Sequence, residues 1–103
     1  MAIQGPDSSQ RMPFVYILRC SDNTLYVGHT DDLGARLQVH NDGHATKYTA
    51  ARRPVCLAYS ESFSTQAEAI TRERQLKRWS AKKKEALIAG DLAILKQLSK
   101  RHK

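Results

Sequence analysis

Two runs rich in β-branched and aromatic residues, 14–20 and 24–29, are separated by only three residues, Ser21-Asp22-Asn23. Strand formers on both sides of a turn tripeptide favour an antiparallel hairpin. Each run carries a tyrosine, Tyr16 and Tyr26. Side chains alternate between the faces of a strand, so the two phenols share a face only if paired residue numbers have an even sum. A register that sets Cys20 opposite Thr24 meets that condition. A slip of one residue separates the tyrosines.

The rest of the chain alternates caps and apolar anchors. Thr30-Asp31-Asp32 offers caps for a helix over 33–41, anchored by Leu33 and Leu37 and stopped by Asn41-Asp42-Gly43. Residues 44–53 form a basic connection with room for a helical turn. Pro54 then introduces a third strand candidate at 55–60. Thr65 and Glu68 have capping-box spacing and open a helix that runs to about Trp79. Ser80 or Ala81 begins another, ending near Gly90. Asp91 caps a last short helix in which Leu92, Leu95 and Leu98 form one stripe. The spacing predicts a polar tail over 1–12, a single domain over 13–99 and a basic tail over 100–103.

At 103 residues and 41% hydrophobic, the chain supports one small domain with a modest core. No stretch approaches the roughly 18 apolar residues of a membrane span, and the first dozen residues lack a signal-like apolar run. Cys20 and Cys56 match no metal spacing, which fits a reduced cytoplasm with both thiols packed in or near strands. Charge is unevenly placed. Through Ala45 three Lys/Arg face five Asp/Glu, and from Thr46 onward fourteen face five, for net charges of −2 and +9. That asymmetry points to a polyanion partner, with a solvated basic surface as the plain alternative.

Glu73 is the position that most needs an explanation. At about 100° per residue, Ala69, Ile70 and Leu76 define an arc with Glu73 near its middle. A carboxylate on an inward stripe is costly unless paired. Arg72 and Arg74 project away from the arc, so the partner is either a divalent cation such as Mg²⁺ or a buried pair with Arg36 or a lysine. Arg36 and His40, four apart, are neighbours on their helix. Together they supply a guanidinium fork for phosphate and a group that titrates near neutrality; separately they are a surface arginine and a histidine favoured by a helix C-terminus. Tyr16 and Tyr26 serve either sheet packing or the ordering of water near a cation. Arg74, Lys77, Arg78, Lys82, Lys83 and Lys84 surround Trp79, and Lys47, Arg52 and Arg53 lie in the basic connection. These nine are the candidate nucleic-acid contacts, with Trp79 itself expected against the core. His44 is a weak phosphate candidate, His29 has no assigned role, and Tyr48 and Tyr59 have no comparable context.

In order, Val15-Tyr16, Tyr26-Val27-Gly28, Arg36, His40 and Glu73 resemble the GIY-YIG nuclease family, from about Phe14 to Leu87. Val15-Tyr16-Ile17-Leu18-Arg19-Cys20, His40-Asn41-Asp42-Gly43, Lys47-Tyr48-Thr49 and Arg53-Pro54-Val55 are similar to a subgroup of small single-domain bacterial members. The resemblance implies an α/β (α+β) fold with a three-stranded antiparallel sheet flanked by helices. It implies hydrolysis of a DNA phosphodiester with one Mg²⁺ or Mn²⁺ held by Glu73. In that scheme Arg36 stabilises the phosphorane-like charge, and Tyr16, Tyr26 or His40 orients and deprotonates water. Phe14 replaces the first-motif glycine, and no asparagine follows Asn41 where many family nucleases have one.

The leading expectation is therefore a metal-dependent endonuclease acting on branched, flap or single-stranded DNA, in repair or recombination, with RNA as a further partner. The alternative is an inactive nucleic-acid-binding module of the same fold. A third reading is an adaptor docking a protein through its C-terminal leucine stripe.

Overall fold

The structure, a computed structural model, describes residues 12–100. The tail expected over 1–12 lies outside them apart from Met12, and the basic tail lies outside them apart from Lys100. The hairpin forms as the turn chemistry requires. Strands β1 (Phe14–Arg19) and β2 (Leu25–Thr30) pair antiparallel, with Tyr16 opposite Gly28 and Leu18 opposite Tyr26. The Cys20 N–H bonds the Thr24 carbonyl at 2.9 Å, so the even register is the one adopted. Asn23 takes a left-handed φ of 72°, and Asp22 Oδ1 accepts from both the Thr24 N–H and hydroxyl at 3.1 and 2.6 Å. Strand β3 (Cys56–Ser62) pairs antiparallel with the other side of β1, giving the order β2-β1-β3. Both β2 and β3 are edge strands.

Among the described residues five helices accompany this sheet, the last of them packed on the fourth. Asp32 caps α1 (Leu33–Asn41), accepting from the Ala35 N–H at 3.1 Å. Thr46 caps the single turn α2 (Lys47–Ala50). The Thr65–Glu68 box opens α3 (Gln66–Lys77), which stops two residues before Trp79. Ser80 caps α4 (Ala81–Ala89) and Gly90, at φ 72°, ends it. Asp91 Oδ1 accepts from the Ile94 N–H at 3.1 Å and starts α5 (Leu92–Lys100).

Alternation divides the core in two. One face of the hairpin contributes Val15, Ile17 and Val27, which bury against Ala69 and Leu76 of α3, with Trp79 packed at the margin. The other contributes Tyr16, Leu18 and Cys20, with Val55 and, partly buried, Tyr26, Leu33 and Leu37. Asn41 locks α1 to the start of β3: its Nδ2 donates to the Val55 carbonyl at 2.9 Å, and its Oδ1 accepts from the Val55 N–H at 2.8 Å. Arg19 grips both carboxylate oxygens of Glu85 at 2.8 Å and ties β1 to α4. One expectation is corrected. Cys56 is exposed rather than packed, because it opens an edge strand. In the leucine stripe of α5, Leu92 is 72% exposed.

Candidate active site

Tyr16 is 3% exposed and its ring crosses the edge strand above Gly28. A Cβ at Gly28 would meet the Tyr16 hydroxyl at 2.5 Å, so only glycine leaves the phenol its place. The hydroxyl lies 3.0 Å from His40 Nε2, and His40 Nδ1 lies 2.8 Å from Thr49 Oγ1. Thr49 Oγ1 in turn lies 2.9 Å from Thr46 Oγ1. His40 and Thr49 are 1% and 0% exposed, so every proton here needs a partner. One assignment satisfies them all. Tyr16 donates to Nε2, the Nδ1–H donates to Thr49, and Thr49 donates to Thr46. The reverse tautomer leaves the phenolic proton without an acceptor.

The charges agree with this assignment. Burial, then the Arg36 charge, hold His40 below its ordinary value, so the ring is neutral at neutral pH. Burial, then Tyr26, push the Tyr16 phenol well up, with Arg36 pulling it down and Glu73 pushing it up. Both charged groups thus act on the same hydroxyl. Arg36 is exposed, and its guanidinium makes no hydrogen bond or ion pair among the described residues. Tyr26 stands edge-on to the His40 ring at 5.2 Å. Its hydroxyl has no hydrogen-bond partner among the described residues.

Glu73 reaches the same edge from the opposite face of the sheet. Its side chain is 13% exposed, and His29 Nδ1 contacts Oε1 at 2.6 Å. Lys77 Nζ lies 3.1 Å from Oε2. The pairing anticipated with Arg36 or a lysine is therefore with Lys77, one turn on, while Arg36 stays free for other work. Lys77 is 53% exposed, and an i,i+4 pair of this kind contributes only about 0.3–0.5 kcal/mol. A hard oxygen donor held by one fixed imidazole and one loosely held ammonium suits a Mg²⁺-type ion. Among the described residues no group of three His, Cys, Asp or Glu forms a richer ligand set.

The profile of the GIY-YIG catalytic domain matches residues 12–86. The chain belongs to the GIY-YIG family. It is 52% identical over 75 residues to a UPF0213 protein of Bacillus velezensis, covering 73% of this chain and 76% of that one. It is 45% identical to a UPF0213 protein of Bacillus pumilus, covering 86% and 90%. A solution NMR structure of a UPF0213 protein from Bacillus halodurans aligns with a TM-score of 0.51 at 37% identity, covering 77% of this chain and 84% of that one. The solution NMR structure of the protein EF2693 from E. faecalis gives 0.55 at 36%, covering 78% and 85%. A GIY-YIG domain implies nuclease-type chemistry on a nucleic acid. No helix among the described residues is long and apolar enough to cross a membrane.

The structure brings Tyr16, Tyr26, Arg36, His40 and Glu73 of this GIY-YIG domain to one edge. Sequence reasoning missed their supports. His29 orients Glu73 across a separation of 44 residues, and Thr49 holds His40, with no local pattern to announce either. Tyr48, given no context from sequence, stacks on Tyr26 at 6.0 Å and 29°. The basic candidates divide. Arg52 lies over the Tyr48 ring at 3.9 Å, and Arg53 Nε donates to the Ala50 carbonyl at 2.9 Å. Lys47, Arg74, Arg78 and Lys82 are exposed. Lys83 caps the Trp79 ring at 4.2 Å, and burial lowers the Lys84 ammonium pKa.

Proposed function

We propose that this domain is a divalent-metal-dependent DNA endonuclease that prefers DNA structure to sequence and serves repair or recombination. One observation carries the reading: a neutral histidine, an uncommitted guanidinium and a carboxylate all bear on the hydroxyl of Tyr16. Both ring nitrogens of His40 are committed, so it reaches water only through Tyr16. As the water oxygen bonds to phosphorus, its proton passes to the Tyr16 oxygen while the phenolic proton moves to Nε2. Thr49 accepts from the Nδ1–H throughout and supports the imidazolium that forms. Tyr26, with its hydroxyl unengaged, orients the water. Arg36 places its fork against the phosphate, where the extra negative charge develops as the bond to the leaving oxygen breaks. Glu73 would hold the Mg²⁺ or Mn²⁺, with His29 orienting it. That ion, when bound, supplies Lewis-acid stabilisation of the phosphoryl and leaving oxygens.

Cations and aromatic faces contact backbone and bases without reading sequence, which supports branched, flap or single-stranded DNA as substrate, and RNA as a second polymer. Lys47, Arg53, Arg74, Lys77, Arg78, Lys82, Lys83 and Lys84 would steer it in. The test is purified protein with branched and linear DNA, with Mg²⁺, Mn²⁺ or chelator. Cleavage is expected with metal only, and survival of cleavage in both Glu73→Ala and Arg36→Ala rejects the assignment. One observation favours a second reading, a binding module without catalysis. Lys77 already neutralises Glu73 Oε2, at 3.1 Å. Salt-sensitive binding with no cutting under any metal selects that reading.

A further inference from the structure

Few surface cations are held as Arg52 is. Its guanidinium lies 3.9 Å from the centre of the Tyr48 ring. Nε donates to Asp22 Oδ2 and Nη1 to the Tyr48 carbonyl, both at 3.0 Å. Its backbone is tied too: its N–H donates to the Thr49 carbonyl at 3.0 Å, and its carbonyl accepts from the Ser21 N–H at 2.9 Å. Nη2 has no partner among the described residues, and the side chain is 34% exposed.

This fixed cation stands at the end of a row of ring contacts that begins in the active site. His40 meets Tyr26 at 5.2 Å, Tyr26 meets Tyr48 at 6.0 Å, and Tyr48 carries the guanidinium. We propose that Arg52 is a preorganised clamp for a backbone phosphate flanking the scissile one, with Tyr48 as its support. The inference rests on the nuclease reading for the position of the scissile phosphate.

Three arguments support a phosphate as the ligand. A guanidinium stacked on one ring and bonded through Nε and Nη1 keeps its remaining donors in a known plane, which suits a phosphate oxygen. Its ordering cost has been met in the free protein, so binding does not incur it again. The spacing suits a neighbouring phosphate. The guanidinium is two steps, 3.9 and 6.0 Å, from the Tyr26 ring. With roughly 3.4 Å of rise per nucleotide of a strand, that gap spans up to about three nucleotides. Asp22 opposes a phosphate by its charge, and its bond to Nε fixes the fork.

The test is binding of a labelled flap duplex to the protein in chelator, across a series of salt concentrations. Arg52→Ala is expected to lower affinity about 3- to 10-fold and to reduce the slope of log affinity against log salt by about one. Arg52→Gln, which keeps an N–H for the Tyr48 carbonyl, gives the same loss and covers the case in which the alanine variant does not fold. Lys96→Ala removes an equal charge from α5 and leaves the slope unchanged. An unaltered slope in folded Arg52 variants, or an equal loss in Lys96→Ala, overturns the clamp. DNA that binds with an Arg52-dependent slope but is never cut under any metal overturns the nuclease reading and, with it, the placement beside a scissile phosphate, while Arg52 remains a clamp for a backbone phosphate. Absence of binding overturns both.

Discussion

Gly28 leaves no room for a methyl group: a Cβ there falls 2.5 Å from the Tyr16 hydroxyl and 2.6 Å from Cζ. Gly28→Ala must therefore shift the phenol off His40. The expected outcome is a loss of cleavage on the order of 100-fold, with about 1–3 kcal/mol of destabilisation from overpacking. Cleavage rates beside urea melts would separate the two effects. His40 yields a prediction in pH. It must be neutral to accept the Tyr16 proton, and its pKa is held below the ordinary 6.5 by burial and then by Arg36. The acid limb of the rate profile should lie below 6.5, and Arg36→Gln should move it upward while lowering the plateau. A limb that stays put in that variant removes His40 from the proton path. The same depressed value affects stability. The contribution is complete above pH 6.5 and is lost as pH falls through the folded-state value.

Helix α1 carries both Arg36 and His40, and its placement depends on one side chain at its last residue. Asn41→Ala removes both bonds to Val55, at 2.9 and 2.8 Å, and leaves two partly buried backbone groups unpaired. We expect about 2 kcal/mol of lost stability by denaturant titration, with cleavage falling further than the loss of folded protein explains. The sequence marked most of this frame, because caps and turns are local: Asp32, Thr65 and Ser80 all accept from the N–H three residues on, while α2, capped by Thr46 in the same way, was marked only as room for a turn. Glu73 was legible for the same reason, as a carboxylate on an apolar arc. What escaped was contact across elements. His29 lies on the sheet face opposite Tyr16, and only the fold brings α3 beside it. Tyr48 and Thr49 sit one residue apart on a single turn, so one stacks outward on Tyr26 while the other turns inward to His40, a division no periodicity over four residues predicts.

At the scale of the molecule, the site is assembled from both faces of the sheet at its β2 margin. Coupling between metal and stability follows. An ion bound only by the folded protein raises the melting temperature, by about 2.7 kcal/mol in stability at 100 times Kd. Mg²⁺ or Mn²⁺ should stabilise the wild type and leave Glu73→Gln unmoved in a thermal-shift titration, while Lys77→Met should bind the ion more tightly. A shift that persists in Glu73→Gln places the ion elsewhere. The margin also has a use beyond chemistry. Among the described residues no strand pairs with the outer side of β2, and a second chain zipping onto that side would roof over Gly28 and the phenol above it. Self-association along this strand and inactivation would then be one event, and bound substrate would double as a guard against aggregation.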